Sequence, residues 1–233
     1  MARRTKEEAL ETRTDILDAA ERVFHEKGVA HASLEDIAAA AQVTRGAIYW
    51  HFKDKAELFD AMMQRVVLPM DAIREGADCC EQTDPLALLR RSAIEVLLRT
   101  ARDAKTRRVF EIAYHKCEYV GDAAGVRERH VASQKECLGT IEEGFRACVK
   151  SGQLPKSVDP KVAAIGAMSL VSGLIANWVL APRSFSLEKN AQTLVDIYFR
   201  GLTLQPLPHA AAAPARGLTR RKQREPQPLR KAR

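Results

Sequence analysis

Apolar residues recur three and four positions apart along nearly the whole chain. No stretch shows the strict alternation of a half-buried strand, so the pattern predicts an all-α protein. Ile16, Leu17, Ala20, Val23 and Phe24 form one stripe of a helix over 8–27, which Gly28 stops. Leu58, Phe59, Met62, Val66 and Met70 align on a helix running from about 55 into the seventies, with Pro69 kinking or ending it. Asp84-Pro85 and Asp159-Pro160 each read as a cap followed by proline at the first helical position. They open helices to about Thr100 and to Leu180. Further helices are predicted at about 103–118, at 125–151 before Gly152, and from a Ser186 cap through Leu202, about nine helices in all.

The segment from Ser33 to Lys53 is the most informative. Ser33 with Asp36 starts one short helix as a capping box, and Thr44 is a plausible cap for a second. In that second helix Ile48 and Phe52 share a face and can pack on Leu34, Ile37 and Ala41 of the first. The opposite side then presents Arg45, Gly46, Tyr49, Trp50 and Lys53. This is the layout of a helix-turn-helix whose second helix enters a major groove, since a merely solvated face would favour Glu and Lys over Tyr, Trp and Gly. Asp54 and Glu57 start the next helix with almost no loop, so that helix moves with the reading helix. Ser33, Thr44, Tyr49, His51 and Lys55 are expected to hold phosphates, and Arg45, with Gly46 permitting close approach, to read a base edge.

Charge sharpens this picture only once it is located. The formal net charge is +7, yet the segment 206–233 carries eight Lys or Arg against one Glu, which accounts for the whole excess. Residues 1–60 carry nine bases and twelve acids. Placement therefore matters: Arg3, Arg4 and Lys6 form a basic arm, Arg45, Lys53 and Lys55 cluster at the reading helix, and Glu21 and Glu35 are expected to face away. The Pro-, Ala- and Arg-rich tail after Leu204 reads as disordered. No apolar run is expected to reach the roughly 20 residues that span a bilayer, and no apolar signal core precedes Glu7, which points to the cytoplasm. Five cysteines in a reducing compartment are expected as free thiols, vicinal Cys79-Cys80 included.

Residues from about 10 to 70 resemble the DNA-binding domain of the TetR family of bacterial transcriptional regulators, above all in Val43-Thr-Arg-Gly-Ala-Ile-Tyr-Trp-His-Phe-Lys-Asp-Lys-Ala-Glu-Leu58. Ala2-Arg-Arg-Thr-Lys-Glu-Glu-Ala9, Thr106-Arg-Arg, Glu111-Ile112, His115-Lys-Cys-Glu118 and Asn177-Trp178 extend the resemblance to the AcrR/TtgR-type repressors of multidrug efflux pumps, up to about Leu204. One departure is Gln42, where the family usually has Gly. If the turn needs a left-handed residue there, Gln costs about 1 kcal/mol.

The chain is thus expected to divide into a helix-turn-helix domain (10–70), a helical ligand-binding and dimerisation domain (83–205) and a basic tail (206–233). The predicted helices 160–180 and 187–203 are apolar on more than one side, so one face can meet the core and another a twin subunit; a core helix of a monomer stays open. The resemblance implies pairing of these two helices with their copies as a four-helix bundle, with Gly166, Ser169 and Gly173 permitting close approach. It also implies a roomy apolar pocket for amphipathic compounds. Candidates for its lining are Val66, Leu89, Val96, Phe110, Tyr114, Ile141, Phe145, Met168, Val171 and Ile175, with Ser172, Asn177 and Glu111 as polar groups. Operator DNA, a second copy and small amphipathic effectors are the expected partners, with no membrane and no cofactor. A regulator without an effector, or an activator, is the alternative. A metal-dependent enzyme built on His115, Cys117, Glu118 or His130 is remote, because no second ligand pair, phosphate loop or nucleophile elbow accompanies them.

Overall fold

The computed structural model describes residues 6–66, 84–118 and 124–204. Among these there are nine helices and no strand: α1 (Lys6–Lys27), α2 (Leu34–Ala40), α3 (Arg45–His51), α4 (Lys55–Gln64), α5 (Pro85–Arg102), α6 (Ala104–His115), α7 (Ala124–Lys150), α8 (Pro160–Leu180) and α9 (Leu187–Thr203). Seven of them start at a side chain that accepts a first-turn backbone N–H: Ser33, Thr44, Asp54, Asp84, Asp103, Asp159 and Ser186. Each such cap is worth about 1 kcal/mol. Pro85 and Pro160 occupy the first turns where their missing N–H costs nothing. Gly28 and Gly152, at φ 78° and 77°, end α1 and α7 in the left-handed conformation. The helix expected to run into the seventies stops as α4 at Gln64, followed by a turn through Val66. Arg3, Arg4, Pro69, Met70, Cys79, Cys80 and the tail 206–233 lie outside the described residues.

Helix α1 is the post around which the amino-terminal helices assemble. Its stripe Ile16, Leu17, Ala20, Val23 and Phe24 is buried, and the helix packs on α2, α4 and α6. Phe24 meets Phe59 of α4 with ring centroids 6.2 Å apart. Polar contacts run along the same seam. Asp18 takes Arg65 and Lys105, each at 2.7 Å, Glu21 takes Arg108 at 2.8 Å, and His25 faces Glu111 at 3.3 Å. Lys116 Nζ donates to the His25 carbonyl at 2.8 Å, and the Val29 N–H to the Lys116 carbonyl at 2.9 Å. Glu21 therefore does not face away as expected. It is 3% exposed and faces the body, because an acid on the α6 side of α1 meets a guanidinium that offsets its desolvation.

The remaining helices form the body. Helix α5 packs on α9, where Arg90 donates to both oxygens of Asp196 at 2.5 and 3.0 Å, and also on α6, α7 and α8. Helix α8 corrects the expectation that no run suffices to cross a bilayer, since Pro160–Leu180 is long and apolar enough by length and composition. Part of it is core: Ala163, Ala164, Ala167, Ile175, Trp178 and Val179 are buried against its neighbours. Val162 and Ile165 of α8 and Ile197 and Leu204 at α9 remain exposed. Gly166 has a different role from the one expected. A Cβ there would collide with Tyr198 Oη, so this glycine admits α9 within the chain, while a Cβ at Gly173 or Gly201 would meet nothing within 4 Å.

Between α2 and α3 the turn places Gln42 at φ 56°, which few L side chains adopt without cost. Gln42→Gly is expected to raise stability by up to about 1 kcal/mol, less the part offset by glycine's freedom in the unfolded chain. It should appear as a higher urea midpoint at constant slope. An unchanged or lower midpoint would mean that the turn holds this conformation without strain.

Candidate nucleic-acid interface and internal cavity

Helix α3 has only seven residues, too few to be stable alone, so its rotation is set by what it buries. Ile48 is 0% and Phe52 1% exposed, packed in the core with Ile37 and beside the partly buried Leu34 and Ala41. Arg13 of α1 lies over the Phe52 ring, 4.9 Å from its centroid. The Thr44 hydroxyl accepts the Ala47 N–H at 3.2 Å, and the Phe52 N–H closes the last turn on Ile48 at 2.8 Å. Only Lys53 and Asp54 then separate Phe52 from α4. Glu57 binds back to the Lys53 N–H at 2.7 Å and Asp54 caps the Glu57 N–H at 2.7 Å, so α3 and α4 are clamped at their joint.

Arg45, Gly46, Tyr49, Trp50 and Lys53 are exposed, as the pattern predicts. Trp50 is 73% exposed, with His51 set edge-on to its ring at 4.5 Å. So large an uncovered aromatic surface on a short helix is characteristic of a face made for a partner. A Cβ at Gly46 would come no closer than 3.8 Å to the Thr44 hydroxyl, so packing within the chain does not demand glycine there. The guanidinium of Arg45 donates to Tyr49 Oη at 3.0 Å, lies over that ring and pairs with Glu35 of α2. Glu35 therefore turns towards the reading face instead of away, drawn there by the charge it complements.

Two expected phosphate holders are differently engaged. Ser33 Oγ accepts the Asp36 N–H at 3.1 Å and donates to Asp36 Oδ2 at 2.8 Å, completing a reciprocal capping box. Lys55 Nζ donates to the carbonyls of Ala30 and Ala32 at 3.2 and 3.0 Å, and so ties α4 to the loop before α2. A side chain long enough to reach a phosphate is long enough to reach a nearby carbonyl, and the residue pattern does not distinguish the two.

A cavity of about 200 Å³ lies inside the body, lined by side chains from α4 to α9. Leu89, Val96, Phe110, Tyr114, Ile141, Phe145, Met168, Val171, Ser172 and Ile175 all line it. Phe110 and Tyr114 stack at 6.1 Å on one wall, and Phe145 meets Phe199 at 5.9 Å on another. Burial raises the Tyr114 phenol pKa, with a hydrogen bond to Ser172 opposing. Three expected lining groups are elsewhere. Val66 is packed in the core at the end of α4, Asn177 donates to the Gly173 carbonyl within its own helix at 2.8 Å, and Glu111 faces His25 and Lys116.

The periodicity missed the other half of the wall: Asp60 and Met63 from α4, Ser92 and Ala93 from α5, His130, Ser133, Gln134 and Cys137 from α7, Ala167 from α8 and Phe199 from α9. Asp60 and Met63 lie three apart on one side of α4, which was the available signal. Burial pushes the Cys137 thiol up, away from its reactive thiolate form. The residues weighed for an enzyme do not converge: His115 Nε2 bonds the Ala176 carbonyl at 2.8 Å, while His130 borders the cavity. Among the described residues no group of three His, Cys, Asp or Glu could hold a metal ion.

Comparison with known proteins agrees with this geometry. Residues 16–62 match the model for bacterial regulatory proteins of the tetR family, and 84–204 that for the C-terminal region of MAATS-type transcriptional repressors. The HTH-type transcriptional regulator TtgR of Pseudomonas putida is 40% identical over 206 residues, spanning 88% of this chain and 98% of that protein. NalD, the secondary repressor of the MexAB-OprM multidrug efflux pump in Pseudomonas aeruginosa, superposes with a TM-score of 0.75 at 37% identity, over 84% of this chain and 98% of NalD. A SmeT–triclosan complex, SmeT being the repressor of the Stenotrophomonas maltophilia pump SmeDEF, gives 0.73 at 32% identity, over 85% and 99%.

Lys27 donates to Asp36 at 2.7 Å, and with the two bonds from Ser33 this lowers the Asp36 pKa from 3.8 to about 2. A carboxylate depressed on folding stabilises fully above its unfolded value. That contribution is expected to persist down to about pH 4 and to be lost as pH falls through about 2. A carboxyl-carbon NMR titration of Asp36 with a midpoint near 2 is the expected result. A midpoint near 3.8 would show that the Lys27 contact is not kept in solution.

Proposed function

Because this chain belongs to the tetR family of bacterial regulatory proteins, a class of DNA-binding transcriptional regulators and not of enzymes, we propose that it is a ligand-responsive repressor of a multidrug efflux operon. It binds a palindromic operator as a homodimer and is released by amphipathic small molecules. The observation that carries this reading is the continuity from cavity to reading face. Helix α4 presents Asp60 and Met63 to the cavity, while its first turn is clamped to α3.

In this reading residues 10–70 form the DNA module, 83–205 the ligand-binding and dimerising body, and 206–233 a basic extension. Arg45, with Gly46 clearing the approach, reads a base edge. Thr44, Tyr49, Trp50, His51 and Lys53 position the backbone, and Ser33 and Lys55 hold α2 and α4 in place around it. DNA must draw Arg45 from Glu35, which penalises duplexes that offer the guanidinium no acceptor in return. The two α3 copies of a dimer would sit about one DNA turn, roughly 34 Å, apart. A ligand filling the cavity shifts α4 and takes the two helices out of register, and DNA weakens ligand binding by the same factor. The exposed Val162, Ile165, Ile197 and Leu204, with open space over Gly173 and Gly201, support a second copy packed against α8 and α9. Names given to relatives supply the efflux target: NalD and SmeT are pump repressors, and SmeT binds triclosan. Action on chromosomal DNA places the protein in the cytoplasm.

Footprinting of the DNA upstream of the chain's own gene tests the reading as a whole. A protected palindrome that is released by amphipathic compounds is expected, and no protection anywhere refutes it. In duplex selection from a random pool, Arg45→Ala is expected to lower specific over non-specific binding by about 10- to 100-fold, as loss of one bidentate base contact does. Uniform weakening with preference intact would reassign Arg45 to phosphate. Ile197→Glu should convert the dimer to a monomer in sedimentation at micromolar concentration, with helix content retained. A variant that stays dimeric would place the interface on another face.

A further inference from the structure

Within the cavity wall one residue stands apart. Among the described lining residues Asp60 is the only one with a formally charged side chain in neutral water, the others being apolar, hydroxyl, amide, thiol or imidazole. Its Oδ2 accepts Gln64 Nε2 at 3.0 Å, and Oδ1 has no hydrogen bond among the described residues. Its positive neighbours, Arg129 and His130, act on it from a distance and make no salt bridge with it among the described residues. Arg129 instead pairs with Asp54 at 3.5 Å, six residues before Asp60 at the start of α4. Burial lowers the pKa of His130, with Asp60 opposing, and its Nε2 lies 2.9 Å from Gln134 Nε2. Glu57 and Glu136 add negative potential from α4 and α7. Burial raises the Asp60 pKa, with Arg129 and then His130 opposing.

On this basis, and resting on the reading of the cavity as the effector site, we infer that Asp60 is its charge-selecting residue, so that the effectors held best are amphipathic cations whose ammonium or delocalised positive group sits against the Asp60 carboxylate. An apolar body fits the Phe110, Tyr114, Met168 and Ile175 walls, which select little by shape. A positive end restores the partner that Asp60 lacks. A neutral end of equal size only strips water from the carboxylate, and a negative end adds repulsion, so affinity falls from cation to neutral to anion. The position also explains how binding is sensed. Asp60 belongs to the helix clamped to α3, so the ion pair grips the element that must move, whereas the apolar walls belong to the body.

A matched probe pair separates charge from shape: 4-phenylbutyl-trimethylammonium and its neutral analogue with carbon in place of nitrogen, titrated calorimetrically into the full-length protein. The cation is expected to bind about tenfold tighter than its analogue. Asp60→Asn should erase that ratio by weakening the cation while the neutral analogue, which no longer strips water from a charge, binds at least as tightly as to the parent, and Asp60→Glu should keep the ratio. Since a partly buried carboxylate without a full counter-charge does not stabilise the fold, the Asn variant is expected to melt no lower than the parent. Equal binding of the two probes by the parent, or a ratio that survives in Asp60→Asn, overturns charge selection and leaves the cavity reading standing. Binding of neither probe, or binding that Met168→Trp does not reduce, removes the cavity as effector site and this inference with it.

Discussion

In the proposed function, the approach to DNA depends on the burial of two side chains, one on a seven-residue helix and one at its C-terminal cap. Ile48 and Phe52 are removed from water almost completely, a contribution of about 1.5–3 kcal/mol each. A rotation of α3 by even a quarter turn would expose one of them. Because helical geometry leaves no independent choice for the other side, Arg45, Tyr49 and Trp50 are held outward by the same energy that holds the apolar pair inward. The orientation of the reading face is thus a consequence of the core, and it needs no contact of its own.

The second constraint is the missing loop. With only Lys53 and Asp54 between Phe52 and α4, and with both ends of that joint hydrogen-bonded across it, α3 cannot move without α4. Helix α4 is in turn shared: its Phe59 and Met62 face the core with α1, while Asp60 and Met63 face the cavity. Helix α6 is shared in the same manner, with Phe110 and Tyr114 towards the cavity and Lys105, Arg108 and Glu111 against α1. Close-packed elements with two such faces respond as units, so in the proposed function α4 and α6 together link a change of volume in the body to the amino-terminal helices.

The helical elements were legible because each was written twice, once in its apolar period and once in its caps. Asp84-Pro85, Asp159-Pro160 and Ser33 with Asp36 act in the structure as their residue types indicate. The apolar part of the cavity was legible for a related reason: Leu89, Val96, Phe110, Met168 and Ile175 lie on inward faces, and an inward face must border either packing or space. Val66 shows the limit, since it also points inward and meets packing. Long polar side chains were the least legible. Lys55, Ser33, Glu21 and Glu35 each settled on a partner distant in sequence or set by local geometry, and none of those partners follows from residue type.

The order of residues by itself determined the secondary structure, the inward faces and the identity of the groups on the outward face of α3, because period and capping act over one or two turns of chain. It also marked the turn at Gln42 as the place where backbone preference and residue disagree. Only the tertiary structure decided which inward residues enclose a cavity, which charges compensate one another, and that the half-buried Asp60 is the charged group in the described cavity wall. Those outcomes depend on distances between helices far apart in the chain, and electrostatic energies change with each ångström of separation and each layer of water removed.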